Sequence, residues 1–147
     1  ELVIQRNTSG NNFSNTVNLS AKINGATVDN FSSDGIIVST PTGSTAYSLS
    51  AGGSVLTPDI NAFILTPICA HSLHSRPIVF SDESVLEIEP LKTRESLVMI
   101  VDGRLMGTVG KGERLTVKKS QYTVEFIVKK EENFFNKLFL KLNKWSR

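Results

Sequence analysis

Val17-Asn18-Leu19-Ser20-Ala21-Lys22-Ile23-Asn24-Gly25 is the stretch that decides the fold class. Apolar side chains fall on every second residue, with polar Asn18, Ser20 and Lys22 between them. A strand turns successive side chains to opposite faces, so this alternation predicts a half-buried strand. Asn24-Gly25 then supplies two residues that tolerate positive φ, as a tight hairpin turn requires. Working outward, residues 85–89, 97–101, 115–118 and 122–128 carry similar runs, and Asp102-Gly103 and Lys111-Gly112 separate some of them. The pattern predicts a mainly β domain: an antiparallel, multi-stranded, sandwich-like meander.

Bulk properties narrow the class further. A chain of 147 residues with 39% hydrophobic and 20% charged residues can build one domain with a real core, spanning residues 1–147. Its formal net charge of +2, with no basic run interleaved with stacking aromatics, argues against nucleic acid as a partner. Residues 35–58 are uncharged but rich in Ser, Thr and Gly, so they are not a membrane span, and no membrane partner is expected. No charged-then-apolar signal peptide opens the chain. The lone Cys69 excludes an internal disulfide framework and suits a reducing, cytoplasmic compartment. Glu1 rather than Met at the start hints at a fragment.

Two segments depart from strand periodicity. Residues 44–51 follow Pro41 and Gly43, offer hydroxyls for an N-cap and end at Gly52-Gly53, which predicts a short helix. In the tail, residues 131–145, Phe134, Phe135, Leu138, Phe139, Leu142 and Trp145 recur at helical spacing with Lys137, Lys141 and Lys144 elsewhere. Glu131 and Glu132 at its start and the lysines near its end agree with a helix dipole, so an amphipathic C-terminal helix is expected. Its wide apolar stripe needs a surface to pack against.

The chemistry concentrates in residues 34–53: a carboxylate, a short buried strand, a hydroxyl-rich turn and a helix start. A helix start offers unpaired backbone N–H groups to an anion or a polar ring edge. Between Asp34 and Asp59 there is no charged side chain, so phosphate held here would be gripped by N–H groups and hydroxyls, not by a lysine of this stretch. The Gly-Lys-Ser/Thr of a P-loop is missing. On chemistry alone, a strand–turn–helix corner with locally satisfied hydroxyls competes on equal terms.

Residues then carry a resemblance. Asp34-Gly35, Ser39-Thr40-Pro41-Thr42-Gly43-Ser44-Thr45-Ala46-Tyr47-Ser48 and Ala51-Gly52-Gly53 resemble the signature of the NAD kinase family. Glu1-Leu2-Val3-Ile4, the segment from Pro67 through Arg76-Pro77-Ile78-Val79, and Val101-Asp102-Gly103 resemble three further family elements, so the likeness runs along the chain. It implies the NAD-binding C-terminal domain of a phosphotransferase that moves the terminal phosphoryl of ATP or polyphosphate to the adenosine-ribose 2′-hydroxyl of NAD, forming NADP. A divalent metal such as magnesium would accompany the donor, with no tightly bound cofactor. Thr42 and Thr45 would bind the adenine end. Asp34 and the backbone of Ala46 would hold the nicotinamide carboxamide, with Tyr47 stacking beside it. Ser50 would lie near the phosphates or a neighbouring subunit, and Glu1 would contact a ribose. Family sites form at subunit interfaces, which implies a homodimer or homotetramer.

Departures matter as well. The family's Gly-Gly-Asp-Gly-Thr motif, which would bind the donor and activate the ribose hydroxyl, is absent from these residues, as is the Asn that precedes Glu1 in the family. Ala70 stands where the family has Pro, and His74 where it has Ser. No catalytic residue is therefore assigned within this chain, and alone it is expected to be inactive. The alternative reading is a non-catalytic dinucleotide-binding or oligomerisation module; a lipid kinase relative fits Thr45-Ala46-Tyr47 less well. Cys69, His71 and His74 lack a fourth metal ligand nearby, so local hydrogen bonding is favoured and no metal site is assigned. Arg76 is read as bracing backbone as readily as binding phosphate, Asp102 as closing a hairpin, and the tail lysines as a solvated helix face.

Overall fold

The computed structural model describes residues 1–7, 16–91, 96–127 and 133–145, with the side chain of Trp145 left aside. Its strands are β1 (Leu2–Gln5), β2 (Val17–Ile23), β3 (Ala26–Ser33), β4 (Gly35–Ser39), β5 (Ala62–Ile68), β6 (Ile78–Ser81), β7 (Leu86–Pro90), β8 (Leu97–Val101), β9 (Arg104–Val109) and β10 (Leu115–Val117). A 3-10 turn over Thr42–Thr45 leads into α1 (Tyr47–Ser50), and α2 (Phe134–Trp145) lies near the end. The strands form a six-stranded sheet in the order β6-β5-β4-β1-β8-β9 and a four-stranded sheet in the order β10-β7-β2-β3. Every strand pairing described is antiparallel.

The period-2 reading of β2 is realised side chain by side chain. Val17, Leu19 and Ala21 turn inward with Phe31, Leu86 and Ile88 of the same sheet, against Ile4, Ile36, Val38, Leu65 and Leu97 of the larger one. Both predicted hairpins form. Asn24 and Gly25 (φ +49° and +81°) join β2 to β3, and Asp102 and Gly103 (φ +46° and +76°) join β8 to β9. Positive φ at both turn residues gives the reversal the twist of the strands favours, at little strain for Asn, Asp or Gly.

The larger sheet is buried on both faces at its centre. Ile36 and Val38 of β4 face the smaller sheet, while Ile37 faces outward with Val3 and Ile68, packed against Ala51 and Ile100. Leu56, Ala62 and Ile64 form a further outer cluster. That second apolar surface is covered by the chain between β4 and β5, and it positions the functional loop.

Two expectations change. Residues 122–127 form no strand; Tyr122, Val124, Phe126 and Ile127 are all exposed, and β propensity without burial does not by itself make a ladder. Val128, the last residue of that expected strand, lies outside the described residues. The single helix expected over 44–51 is broken at Ala46 into the 3-10 turn and the short α1. Helix α2 forms as expected, while Glu131 and Glu132, expected at its start, lie outside the described residues.

Candidate functional site

β4 ends at Ser39, and Thr40-Pro41 starts the reversal. The Ser44 N–H donates to the carbonyls of Thr40 (2.9 Å) and Pro41 (3.2 Å), and the Ala46 N–H donates to Gly43 O at 3.0 Å. Two buried hydroxyls pin this corner to the domain. Ser44 Oγ donates to Pro41 O (2.7 Å) and accepts from the Leu56 N–H (2.9 Å). Ser48 Oγ lies 2.9 Å from Thr66 Oγ1, tying α1 to β5. Hydroxyls expected to cap a helix thus serve as anchors instead. Neither short helix has a side-chain cap bond, because the N-cap positions are Pro41 and Ala46, whose side chains offer no acceptor.

The cap comes from far away in sequence. Glu1, at the start of β1, accepts from the N–H groups of Tyr47 (3.1 Å) and Ser48 (3.4 Å). The backbone donors expected to meet a ligand anion are therefore already engaged by a carboxylate. Glu1 retains lone pairs for a sugar hydroxyl, since an ionised carboxylate offers about four acceptor positions. The Asp102 N–H donates to Glu1 O at 3.0 Å. Asp102 is thus both the hairpin residue expected and a support for Glu1.

Two glycines make the corner possible. A Cβ on Gly53 would overlap the Ser48 hydroxyl and come within 2.8 Å of Thr66 Oγ1; a Cβ on Gly35 would be driven into the Ile4 carbonyl and lie 2.7 Å from Gln5 Cβ. Below the turn, Ser39 Oγ is buried and has no hydrogen-bond partner. It lies close to Gly43, where an added Cβ would be 3.4 Å from Ser39 Cβ.

The structure gathers Glu1, Thr42, Thr45, Ala46, Tyr47 and Ser50 along one turn and its capping strand. Thr42, Ala46, Tyr47 and Ser50 are exposed there, and Thr45 is half-buried. Asp34 is elsewhere. It precedes β4 at the opposite end of the β1–β4 ladder, where Gln5 pairs with Gly35 while Leu2 pairs with Val38. Five residue steps at ~3.3 Å put it roughly 17 Å along the strands from Glu1. Its carboxylate is paired with Arg6 at 3.2 Å, a partner that nothing in the sequence spacing announced.

Among the other residues weighed, Arg76 braces backbone, donating to the carbonyls of Leu73 and Ser75 at 2.8 Å each. The His71 N–H donates to Ser32 O at 2.8 Å, and Cys69 is an exposed free thiol. Among the described residues no three His, Cys, Asp or Glu side chains gather into a metal-binding set. Helix α2 stands near the functional turn, with most of its side chains exposed. A cavity of about 150 Å³ is lined by Thr45 and Leu49 on one side and by Phe134, Leu138, Lys137 and Lys141 on the other. Lys137 and Lys141 are both exposed, as the solvated face expected of them. No helix among the described residues is long and apolar enough to cross a membrane.

Two antiparallel sheets, with a Thr-Pro-Thr-Gly-Ser-Thr-Ala-Tyr turn folded onto the outer face of the larger one, make up the domain. The chain belongs to the ATP-NAD kinase C-terminal domain family, which matches residues 1–129. It is 38% identical over 135 residues to an NAD kinase of Carboxydothermus hydrogenoformans, covering 92% of this chain and 48% of that protein. Against an NAD kinase 2 of Prochlorococcus marinus subsp. pastoris it is 50% identical over 111 residues, covering 76% of this chain and 36% of the relative. Among solved structures, an NAD kinase from Archaeoglobus fulgidus in complex with ATP superposes with a TM-score of 0.79 at 31% identity, covering 97% of this chain and 53% of that one. Yeast NADH kinase complexed with NADH gives 0.72 at 34% identity, covering 80% and 33% respectively. The chain spans about half the length, or less, of the curated relatives it matches.

Proposed function

We propose that this chain is the dinucleotide-holding half of an NAD kinase, which transfers the terminal phosphoryl of ATP or polyphosphate to the adenosine-ribose 2′-hydroxyl of NAD and so makes NADP. The observation that carries this reading is the exposed turn from Thr42 to Ser50, held rigid by Ser44, Ser48 and the Glu1 carboxylate. Phosphoryl transfer depends mainly on positioning and charge neutralisation, so a rigid acceptor platform is a real share of the catalysis. Thr42 and Thr45 would take the adenine end, Tyr47 would stack beside the nicotinamide, and Glu1 would accept a ribose hydroxyl. Ser50, exposed at the end of α1, would face the phosphates or a neighbouring copy.

Asp34 and the Ala46 backbone cannot hold one carboxamide from within a single copy, given their separation. The reading is consistent if Asp34 of one copy serves a dinucleotide seated on the turn of the next, which favours a homodimer or homotetramer. The Gly-Gly-Asp-Gly-Thr motif, which in the family would bind the phosphoryl donor, is not in the sequence. Phosphoryl transfer by this chain alone is therefore not expected. A single free thiol and the absence of a disulfide framework suit the cytoplasm.

Calorimetric titration with NAD tests the binding role directly. Asp34→Asn should weaken NAD about tenfold while leaving the melting temperature nearly unchanged, because the Arg6 pair is half-exposed and adds little to stability. Equal affinity for the variant and the parent removes Asp34 from the site. NADP formation from ATP and NAD by the 147-residue chain itself would overturn the division of labour.

A further inference from the structure

At the end of the β1–β4 ladder away from Glu1, the fold fixes a guanidinium against a carboxylate. Arg6 follows β1 and Asp34 precedes β4, so they extend the pairing of Gln5 with Gly35 by one step. The Arg6 N–H donates to Asp34 O at 3.0 Å, and the Asp34 N–H donates to Ile68 O at 2.9 Å. The Asp34 main chain is thus tied to β1 on one side and to β5 on the other. Ile4 O and Gln5 stand where a Cβ on Gly35 would go, so the two strands approach closely here. The Arg6 guanidinium then reaches Asp34 Oδ2 at 3.2 Å, with the two side chains 37% and 29% exposed. A carboxylate offers about four acceptor positions, and this bond takes one, which leaves room for a carboxamide N–H.

Oxidised and reduced dinucleotides share their carboxamide, riboses, pyrophosphate and adenine, and differ in ring charge. The oxidised nicotinamide is a cation; dihydronicotinamide is neutral. A carboxylate that holds the carboxamide stands a few ångströms from that charge and favours the cation, while a guanidinium on the same carboxylate opposes it. We propose that Arg6 is a positioning residue acting through Asp34: it aims the carboxylate, offsets its charge, and so limits how strongly the site prefers the oxidised dinucleotide to the reduced one. Arginine suits this place because its charge persists at any working pH and its planar fork matches a carboxylate. Partial exposure of the pair keeps its influence on a ligand modest and open to screening by salt.

The proposal rests on the reading of Asp34 as the partner of the carboxamide, and the test separates the two. The full chain and its Asp34→Asn, Arg6→Met and Arg6→Lys variants are titrated by calorimetry with NAD and with NADH. Salt is set at ~0.1 M and ~1 M, where the screening length is about 10 Å and about 3 Å. The quantity read is the ratio of NAD to NADH affinity, which does not depend on the fraction of each sample that is folded. Asp34→Asn should lower this ratio, and Arg6→Met should raise it about fivefold at low salt and less at high salt. Arg6→Lys, which keeps the charge, should stay within about twofold of the parent. An unchanged ratio in Arg6→Met overturns the proposal while leaving Asp34 in its role. Equal weakening of both ligands at both salts also overturns it, since Arg6 would then only brace the strands. NAD affinity unaltered by Asp34→Asn, or a parent that binds neither ligand, removes the carboxamide reading and this inference with it.

Discussion

Replacing Gly53 by Ala is the sharpest stability test of how the functional turn is built. The new Cβ meets Ser48 Oγ, Ser48 O (2.8 Å) and Thr66 Oγ1 (2.8 Å) at once, two of which are the buried hydroxyls that tie α1 to β5. No flexible side-chain end can swing away, because the neighbours are backbone and short hydroxyls inside the domain. Overpacking of this kind costs about 1–3 kcal/mol. Breaking the Ser48–Thr66 pair in a buried position adds about 1–3 kcal/mol for an unsatisfied hydroxyl. Taking roughly 3 kcal/mol as the sum, and about 2–4 °C per kcal/mol for a domain of this size, the melting temperature should fall by roughly 6–12 °C. Gly52→Ala is the matched control: it has φ +90° but nothing within 4 Å of an added Cβ, so only backbone strain of ~1 kcal/mol applies. Thermal unfolding followed by circular dichroism reads both variants, and NAD titration of the Gly53 variant should show weakened binding as α1 shifts. A Gly53→Ala protein that melts within ~2 °C of the parent, or no lower than Gly52→Ala, refutes the steric argument.

Two further outcomes follow from the same contacts. Glu1→Ala strips the acceptor from the Tyr47 and Ser48 N–H groups; at ~1 kcal/mol for a partly exposed charged cap, NAD affinity should drop about fivefold, and an unchanged dissociation constant would show that the cap does not order the turn. Lys119 pairs with Asp82 and Glu83 at 2.8 Å each, and these hydrogen bonds raise its pKa above the ordinary lysine range. A raised lysine pKa contributes stability that is complete below the unfolded value of about 10.4 and is lost only as pH rises through the folded one. Lys119→Met should therefore lower the melting temperature by the same amount at pH ~6 and ~9, and a difference that shrinks over that window contradicts the pairing.

Much of the fold could be read along the chain because its information is local. Alternation made β2, positive-φ dipeptides made the hairpins at Asn24-Gly25 and Asp102-Gly103, and 3.6-residue spacing made α2. The misses have a common cause. Residues 122–127 have strand composition but stay exposed and unpaired in any strand, and residues 44–51 have helix punctuation but are interrupted at Ala46, next to the Ser44 anchor beneath the turn. In both places tertiary surroundings overrode propensity. The glycine requirement at Gly35 and Gly53 was equally hidden, since the atoms that forbid a Cβ at Gly35 belong to Ile4 and Gln5 on another strand.

By itself, the sequence determined the β class, the family and the identity of the turn that carries the chemistry, all from contiguous residues. Tertiary structure decided which charges surround that turn. Antiparallel pairing of β1 with β4 carried Glu1 to the backbone of Tyr47 and sent Asp34 to the far end of the ladder with Arg6. Such placements are beyond local reading because a charge acts through distance in space, and strand pairing and helix packing set that distance without regard to separation along the chain.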